Sequence, residues 1–173
     1  MRIFLITGNN GSGKSTVCKQ LQSLGKTAYD IDNPNIGGAY NLATRQFDAV
    51  PPSTERTLEW FQAHEWRIKK DEVYKLLAKH DEVFLCGYAA NQESIFVKCE
   101  NIFILQAPST VIASRVGDRV DNDFGQTPYE LQAILKRKEL FGRLSTHPKA
   151  HVIDASKPLE VVVGAILTAT STS

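Results

Sequence analysis

Gly8–Thr16 reads G-N-N-G-S-G-K-S-T, and these residue types at this spacing could hold a row of phosphates. Gly8, Gly13, Lys14 and Ser15 occupy the fixed positions of the pattern G-x-x-x-x-G-K-[ST]. Glycines let such a loop take positive φ and approach a ligand closely. The N–H groups of Asn10, Gly11, Ser12, Gly13, Lys14, Ser15 and Thr16 would then form an anion nest at the positive end of the following helix. Lys14 adds a mobile charge for the outer phosphates. Ser15 offers a hydroxyl to magnesium, and Thr16 one towards the innermost phosphate. The plain alternative is a Gly/Asn-rich turn. Against it, an apolar run, Met1–Thr7, precedes the loop, and Val17, Cys18, Leu21 and Leu24 follow at helical spacing. That strand–loop–helix context is the one a nucleoside triphosphate loop needs.

A second set of residues could act on the phosphate. Many phosphate-loop ATPases end an apolar strand with an acid that organises magnesium. Here the corresponding run, Glu82–Gly87, ends on Cys86 and Gly87. A carboxylate for the metal must come from elsewhere, and Asp30 or Asp32 is the nearest candidate. An acid there would also stand where an acceptor hydroxyl approaches in line. Solvated strand-end acids are the plain alternative. Arg115 and Arg119 lie on a charged connector, with Arg137 and Arg143 beyond it. Arginines stabilise the charge that spreads over a transferring phosphoryl group. Alternatively they pair on the surface with Asp118, Asp121, Asp123 and Glu139, at little energetic value.

The elements that must carry these residues follow from periodicity. Strands are predicted at Met1–Thr7, Lys26–Asp32, Glu82–Gly87, Asn101–Gln106 and His151–Asp154. Asp30 and Asp32 would then share one strand face. Helices are predicted after Gly13, at Thr54–His64, at Asp71–His80 with Asp71 as N-cap, at Asn91–Cys99, from Pro108 to Gly117, and at Pro158–Thr168. Thr127-Pro128-Tyr129-Glu130 reads as a capping box opening a long helix through Leu144. Asn33–Ser53, with Gly37–Gly38 and Pro51–Pro52, is the least regular part, and so long a connection is usually functional. Strand and helix alternate about five times, which predicts an α/β fold: a three-layer, doubly wound parallel sheet of about five strands. Ligands of such sheets bind beyond the carboxyl ends of the strands. The phosphate loop, Asp30, Asp32, Gly87 and Pro108 should therefore share one rim. One domain is expected over 1–169, with an acceptor-binding insertion at about 33–67, a short lid at about 115–126, and a disordered tail at 170–173.

Composition excludes several classes. The 173 residues carry 20 Lys plus Arg against 19 Asp plus Glu, so no global basic field argues for nucleic acid or an anionic membrane. Cys18, Cys86 and Cys99 form no metal-binding spacing, and the first two fall in apolar patterns as core thiols. Free cysteines, no signal-like start and no membrane-spanning run make a cytoplasmic protein the expectation.

On these pieces the whole chain resembles the small phosphate-loop kinases of the adenylate kinase, shikimate kinase and nucleoside kinase group. They are G-N-N-G-S-G-K-S-T, D-I-D after the second strand, C-G-Y at the third strand's end, and R-V-D-N-D before a long helix. The resemblance implies that Asp30 serves the metal and Asp32 the acceptor. It implies too that Arg115 and Arg119 flank a very short lid, and that Arg137 matches a later helix arginine. His64-Glu65-Trp66-Arg67, C-G-Y-x-x-N and N-D-F-G-x-T-P also look like bacterial proteins described as AAA-domain ATPases or nucleoside kinases.

One departure bears on the acceptor. Adenylate kinases follow the third strand with G-F-P-R, whose arginine holds a phosphate. Here the run is Gly87-Tyr88-Ala89-Ala90-Asn91. Asn91 can hydrogen-bond a neutral group but cannot neutralise a phosphate. Arg56 and Arg67, in the same region, could serve instead, and Trp60, Trp66, Tyr40 and Tyr88 could offer a flat face. The expected activity is ATP- and Mg2+-dependent phosphoryl transfer to a small-molecule hydroxyl, such as that of a nucleoside. Lys14, Asp32, Arg115 and Arg119 would be catalytic, Ser15 and Asp30 would hold the metal, and Asp32, Arg56, Arg67, Gly87 and Asn91 would bind the acceptor. The alternatives are a nucleotide-gated ATPase or switch, and a nucleic-acid end kinase, which the near-neutral charge disfavours.

Overall fold

Arg2–Gly8 (β1) is apolar on both faces because it is the middle strand of a parallel sheet. The computed structural model describes residues 2–52, 55–117, 134 and 137–171. Five parallel strands stand in the order β2 (Ala28–Asp30), β6 (Glu82–Cys86), β1, β7 (Asn101–Gln106) and β8 (Ala150–Asp154). Helices cover both faces. On one, α1 (Lys14–Ser23) and α7 (Leu159–Ser171) bury Val17, Cys18, Leu21, Val162, Val163 and Ile166 against Phe4, Ile6, Phe84 and Phe103. On the other, α3 (Lys70–Leu77), α4 (Glu93–Phe96) and α6 (Lys138–Leu144) bury Val73, Leu77, Ile95 and Phe141 against Leu5, Leu85 and Ile104. The expected doubly wound α/β sheet is the observed one.

The irregular stretch is different from its reading. It supplies β3 (Gly37–Asn41) and β4 (Phe47–Asp48) of a second, antiparallel sheet in the order β4-β3-β5, whose third strand β5 (His64–Ile68) begins at the last residue of the expected helix Thr54–His64. Helix α2 is confined to Leu58–Ala63, capped by the Thr57 hydroxyl, which accepts a hydrogen bond from Trp60 N–H at 3.3 Å. The small sheet is fastened to the large one by backbone and amide bonds. Ala90 N–H, just beyond β6, donates to Trp66 O at 2.8 Å. The Asn91 side chain accepts from Ile68 N–H at 2.8 Å and donates to Ile68 O at 3.1 Å.

Smaller differences sit at element ends. Strand β2 stops at Asp30, so Asp30 and Asp32 do not share a strand face. Asp71 lies in the first turn of α3, not at its N-cap, which is Lys69. Thr170 and Ser171 belong to the last turn of α7 and Thr170 is buried, so the tail expected from 170 onward is ordered helix through Ser171. The capping box at 127–130 lies outside the described residues. α5 (Ser109–Gly117) is the helix expected after Pro108.

Candidate functional site

The loop after β1 turns tightly because its glycines allow it. Gly8 has φ +149, and a Cβ there would lie 2.4 Å from Leu105 O of the neighbouring strand. Within the loop, Asn9 organises the backbone: its side-chain oxygen accepts from Asn10 N–H at 2.9 Å and its carbonyl from Ser12 N–H at 3.1 Å. The same carbonyl accepts from Lys14 Nζ at 2.9 Å. Two of the N–H groups expected to face phosphate, those of Asn10 and Ser12, are thus engaged inside the loop. α1 starts at Lys14 behind Gly13, so Ser15 and Thr16 stand in its first turn. First-turn N–H groups have no carbonyl partner within a helix and carry its positive dipole end. Below the loop, the Ser12 hydroxyl is buried with no hydrogen-bond partner among the described residues, and the Thr7 hydroxyl donates to Gln92 Oε1 at 2.9 Å.

The acids are close to the loop by way of a thiol. Asp30 is in register with Cys86 on β6, which is in register with Ile6 on β1. Cys86 is fully buried, and burial pushes its thiol well above the usual range; the fields of both Asp30 and Lys14 reach it. Asp30 thus stands two strands from β1, level with Ile6, just before the loop. Asp30 Oδ1 accepts from Asp32 N–H at 2.9 Å, closing a turn that leaves Asp32 exposed.

Among the described arginines, Arg137 is the one shown at the loop. Its Nη1 donates to Asn10 Oδ1 at 2.9 Å, and its Cζ stands 5.0 Å from the Tyr88 ring centroid. Burial lowers its pKa and Tyr88 opposes that shift, but a guanidinium stays charged regardless. Helical spacing alone leaves Arg137 between surface and function, since it does not say which residue a side chain meets. Arg115 Nη1 instead donates to Ala155 O at 2.9 Å, at the end of β8. Its neighbour Val116 packs on Gly11. Arg143 is exposed on α6. Arg119 and lid residues 118–126 lie outside the described residues.

On the other side, the expected acceptor contacts are largely engaged. Both polar atoms of the Asn91 amide hold Ile68, as above. Arg67 donates to Glu65 Oε2 from Nε at 3.0 Å and from Nη2 at 2.8 Å, and its Cζ lies 4.2 Å from the Tyr40 ring centroid. Arg56 Nε donates to Pro51 O at 3.0 Å. Gly87 lies flat against Ile31. Trp60 stacks on His64 at 4.6 Å, and Trp66 Nε1 donates to Ile31 O at 3.4 Å. Of the four aromatics, Tyr88 is the one that reaches an arginine at the phosphate loop. Among the described residues no group of three or more His, Cys, Asp or Glu could hold a metal ion. No described helix is long and apolar enough to cross a membrane.

Neither a known family model nor a curated protein matches this sequence. Solved structures do. A sugar kinase from Janibacter sp. HTCC2649 superposes with TM-score 0.61 at 20% identity, over 99% of this chain and 95% of that one. The deoxyadenosine kinase from M. mycoides with bound dATP gives 0.59 at 14% identity, over 99% and 100%. The shikimate kinase from Acinetobacter baumannii in complex with shikimate gives 0.60 at 16% identity, over 99% and 94%. At these identities the likeness is one of fold, and the fold is that of the small phosphate-loop kinases.

Proposed function

We propose that the chain is an ATP-dependent kinase that phosphorylates a hydroxyl of an uncharged small molecule. The observation that carries this reading is the arrival of Arg137 at Asn10, which adds a guanidinium to a loop that already holds Lys14. A loop alone binds a triphosphate; a cation beside it, outside the nest, suits charge that develops during transfer. The residues fit the nucleotide: the Gly8 turn leaves no room for a Cβ, and the first turn of α1 ends in the hydroxyls of Ser15 and Thr16. The Ser15 hydroxyl and Asp30 carboxylate are an all-oxygen set of the kind magnesium takes. The ion would supply charge neutralisation at the outer phosphates. Lys14 swings from Asn9 O to those phosphates, and Arg137 faces the group in flight. Asp32, exposed beyond β2, orients the acceptor hydroxyl and takes its proton. Arg119 is proposed to complete the charge on the lid side, and Arg115 to wall the nucleotide beside Ala155.

The uncharged acceptor is supported by what holds the acceptor-side cations. Arg67 is paired with Glu65, and Arg56 holds a loop carbonyl. A phosphate-bearing acceptor would have to break such pairs. The deciding experiment is ADP release from ATP over a panel of nucleosides, sugars, shikimate-like alcohols and nucleoside monophosphates. Turnover is expected with a nucleoside or a sugar; turnover confined to the anionic shikimate-like alcohols or the monophosphates would overturn the uncharged acceptor. Lys14→Ala should lower turnover by about 100-fold or more, the scale of losing one transition-state donor. Unchanged turnover in that variant sinks the assignment.

A nucleotide-gated binding protein is the second reading. It is favoured by Leu42, Phe47, Val50 and Leu58, large apolar residues exposed on the 42–58 segment. ATP hydrolysis indifferent to every acceptor would favour it over the kinase.

A further inference from the structure

Tyr88 stands at the junction of the two halves of the proposed site. It directly follows Gly87 at the end of β6, in the run that continues to Asn91 and so to the small sheet. Its ring is held from two directions by α6 and the residue before it. Phe141 meets the ring edge-on, with centroids 5.7 Å apart at 70°. Arg137 Cζ lies 5.0 Å from the ring centroid, and Arg137 Nη1 donates to Asn10 of the phosphate loop at 2.9 Å. The ring is half-buried, and burial raises the phenol pKa, so Tyr88 is neutral at physiological pH.

We propose that Tyr88 is a positioning residue: its ring holds the Arg137 guanidinium at the phosphate loop, aimed at the transferring phosphoryl group. The inference rests on the kinase reading. Three physical points carry it. A cation over an aromatic face is attracted by the ring quadrupole, more strongly when water is excluded. A guanidinium keeps its donors in its own plane, so the ring fixes both its place and the direction of its hydrogen bonds. An arginine held by fewer contacts would have more freedom to lose in each turnover. The phenol hydroxyl has no part in this, and the ring face has all of it.

Because the transition state places charge differently from ground-state ATP, a guanidinium aimed at it should matter in kcat and not in ATP binding. Tyr88→Leu is expected to lower kcat about 10-fold, between the exposed and the desolvated scale of a cation–π contact, with KM for ATP changed by less than about 3-fold. Tyr88→Phe should restore most of the rate. The double variant Tyr88→Leu/Arg137→Lys should be no slower than Arg137→Lys alone, since both changes disable one unit. Thermal unfolding of each variant checks that it folds.

The same cycle is read without any acceptor by measuring affinity for ADP with magnesium and aluminium fluoride, a mimic of the transferring group. Tyr88→Leu should weaken that complex about 10-fold while leaving ADP alone unchanged. A kcat and fluoride-complex affinity equal to wild type in Tyr88→Leu overturn the proposal. So do losses that multiply independently in the double variant, or a Tyr88→Phe variant as slow as Tyr88→Leu. If wild type phosphorylates nothing in the panel yet its fluoride complex depends on Tyr88 and Arg137, the positioning role stands and the kinase reading falls.

Discussion

Asn91 shows how a single side chain can be read for the wrong partner. Its type and place after Gly87 suggested a hand held out to the acceptor. The structure gives both ends of that amide to Ile68, whose residue is buried at the root of the small sheet. Removing the amide leaves a buried N–H and C=O without partners, each a desolvation cost of about 1–3 kcal/mol. Asn91→Ala should therefore lower the urea-unfolding free energy by about 2 kcal/mol or more. An unchanged unfolding midpoint would return Asn91 to the acceptor. Arg137 is the converse case. Its chemistry was legible, but its target was not, because Asn10 lies 127 positions away and no pattern links them. The strand–loop–helix was legible because its glycines and the apolar runs on either side are local signals.

At the scale of elements, the parallel strands were legible because burial on both faces writes them as continuous apolar runs. Helix α1 was legible by its spacing. The antiparallel sheet was not. Gly37–Gly38 has the composition of a turn, yet both residues lie in β3. The reason is crowding: a Cβ on Gly37 would lie 2.2 Å from Ile31 O and 2.8 Å from Trp66 Nε1. Backbone atoms cannot yield as a flexible side chain can. Gly37→Ala should force β3 away from the end of β2, destabilising the protein by about 2–3 kcal/mol. Its melting temperature relative to wild type measures this, and an equal value would show that the two segments do not meet. β5 was hidden for a related reason. His64-Glu65-Trp66-Arg67-Ile68 alternates in direction, but each polar member has its own partner, so polarity does not mark the solvent face.

For the molecule as a whole, alternation of strand and helix announces a doubly wound sheet, but not which strands adjoin β1. That order depends on crossovers, which sequence pattern does not record. Stability at high pH is also a property of the whole core. Cys99, buried and donating its thiol hydrogen to Ile95 O at 3.3 Å, has its pKa pushed up to about 12 by burial. An unfolded thiol ionises near pH 8.5, so above that the unfolded chain binds fewer protons than the folded one. Its contribution is whole below about pH 8.5 and is lost as pH rises towards the folded value, at about 1.4 kcal/mol per pH unit. Cys86, also raised by burial, acts in the same direction. Urea unfolding at pH 8 and pH 10 should show wild type losing stability more steeply than Cys99→Ala; parallel declines would remove Cys99 from the account.

The seam between the two sheets has a consequence for inheritance. The small sheet enters from the end of β2, returns at the start of α3, and is riveted to the Gly87–Asn91 run by three bonds. None of those rivets uses a side chain of the phosphate loop. On the kinase reading, the segment that chooses the customer is a cassette, and the segment that handles the nucleotide is its socket. A descendant could exchange residues 36–68 and inherit a new acceptor while its donor machinery stayed as it was.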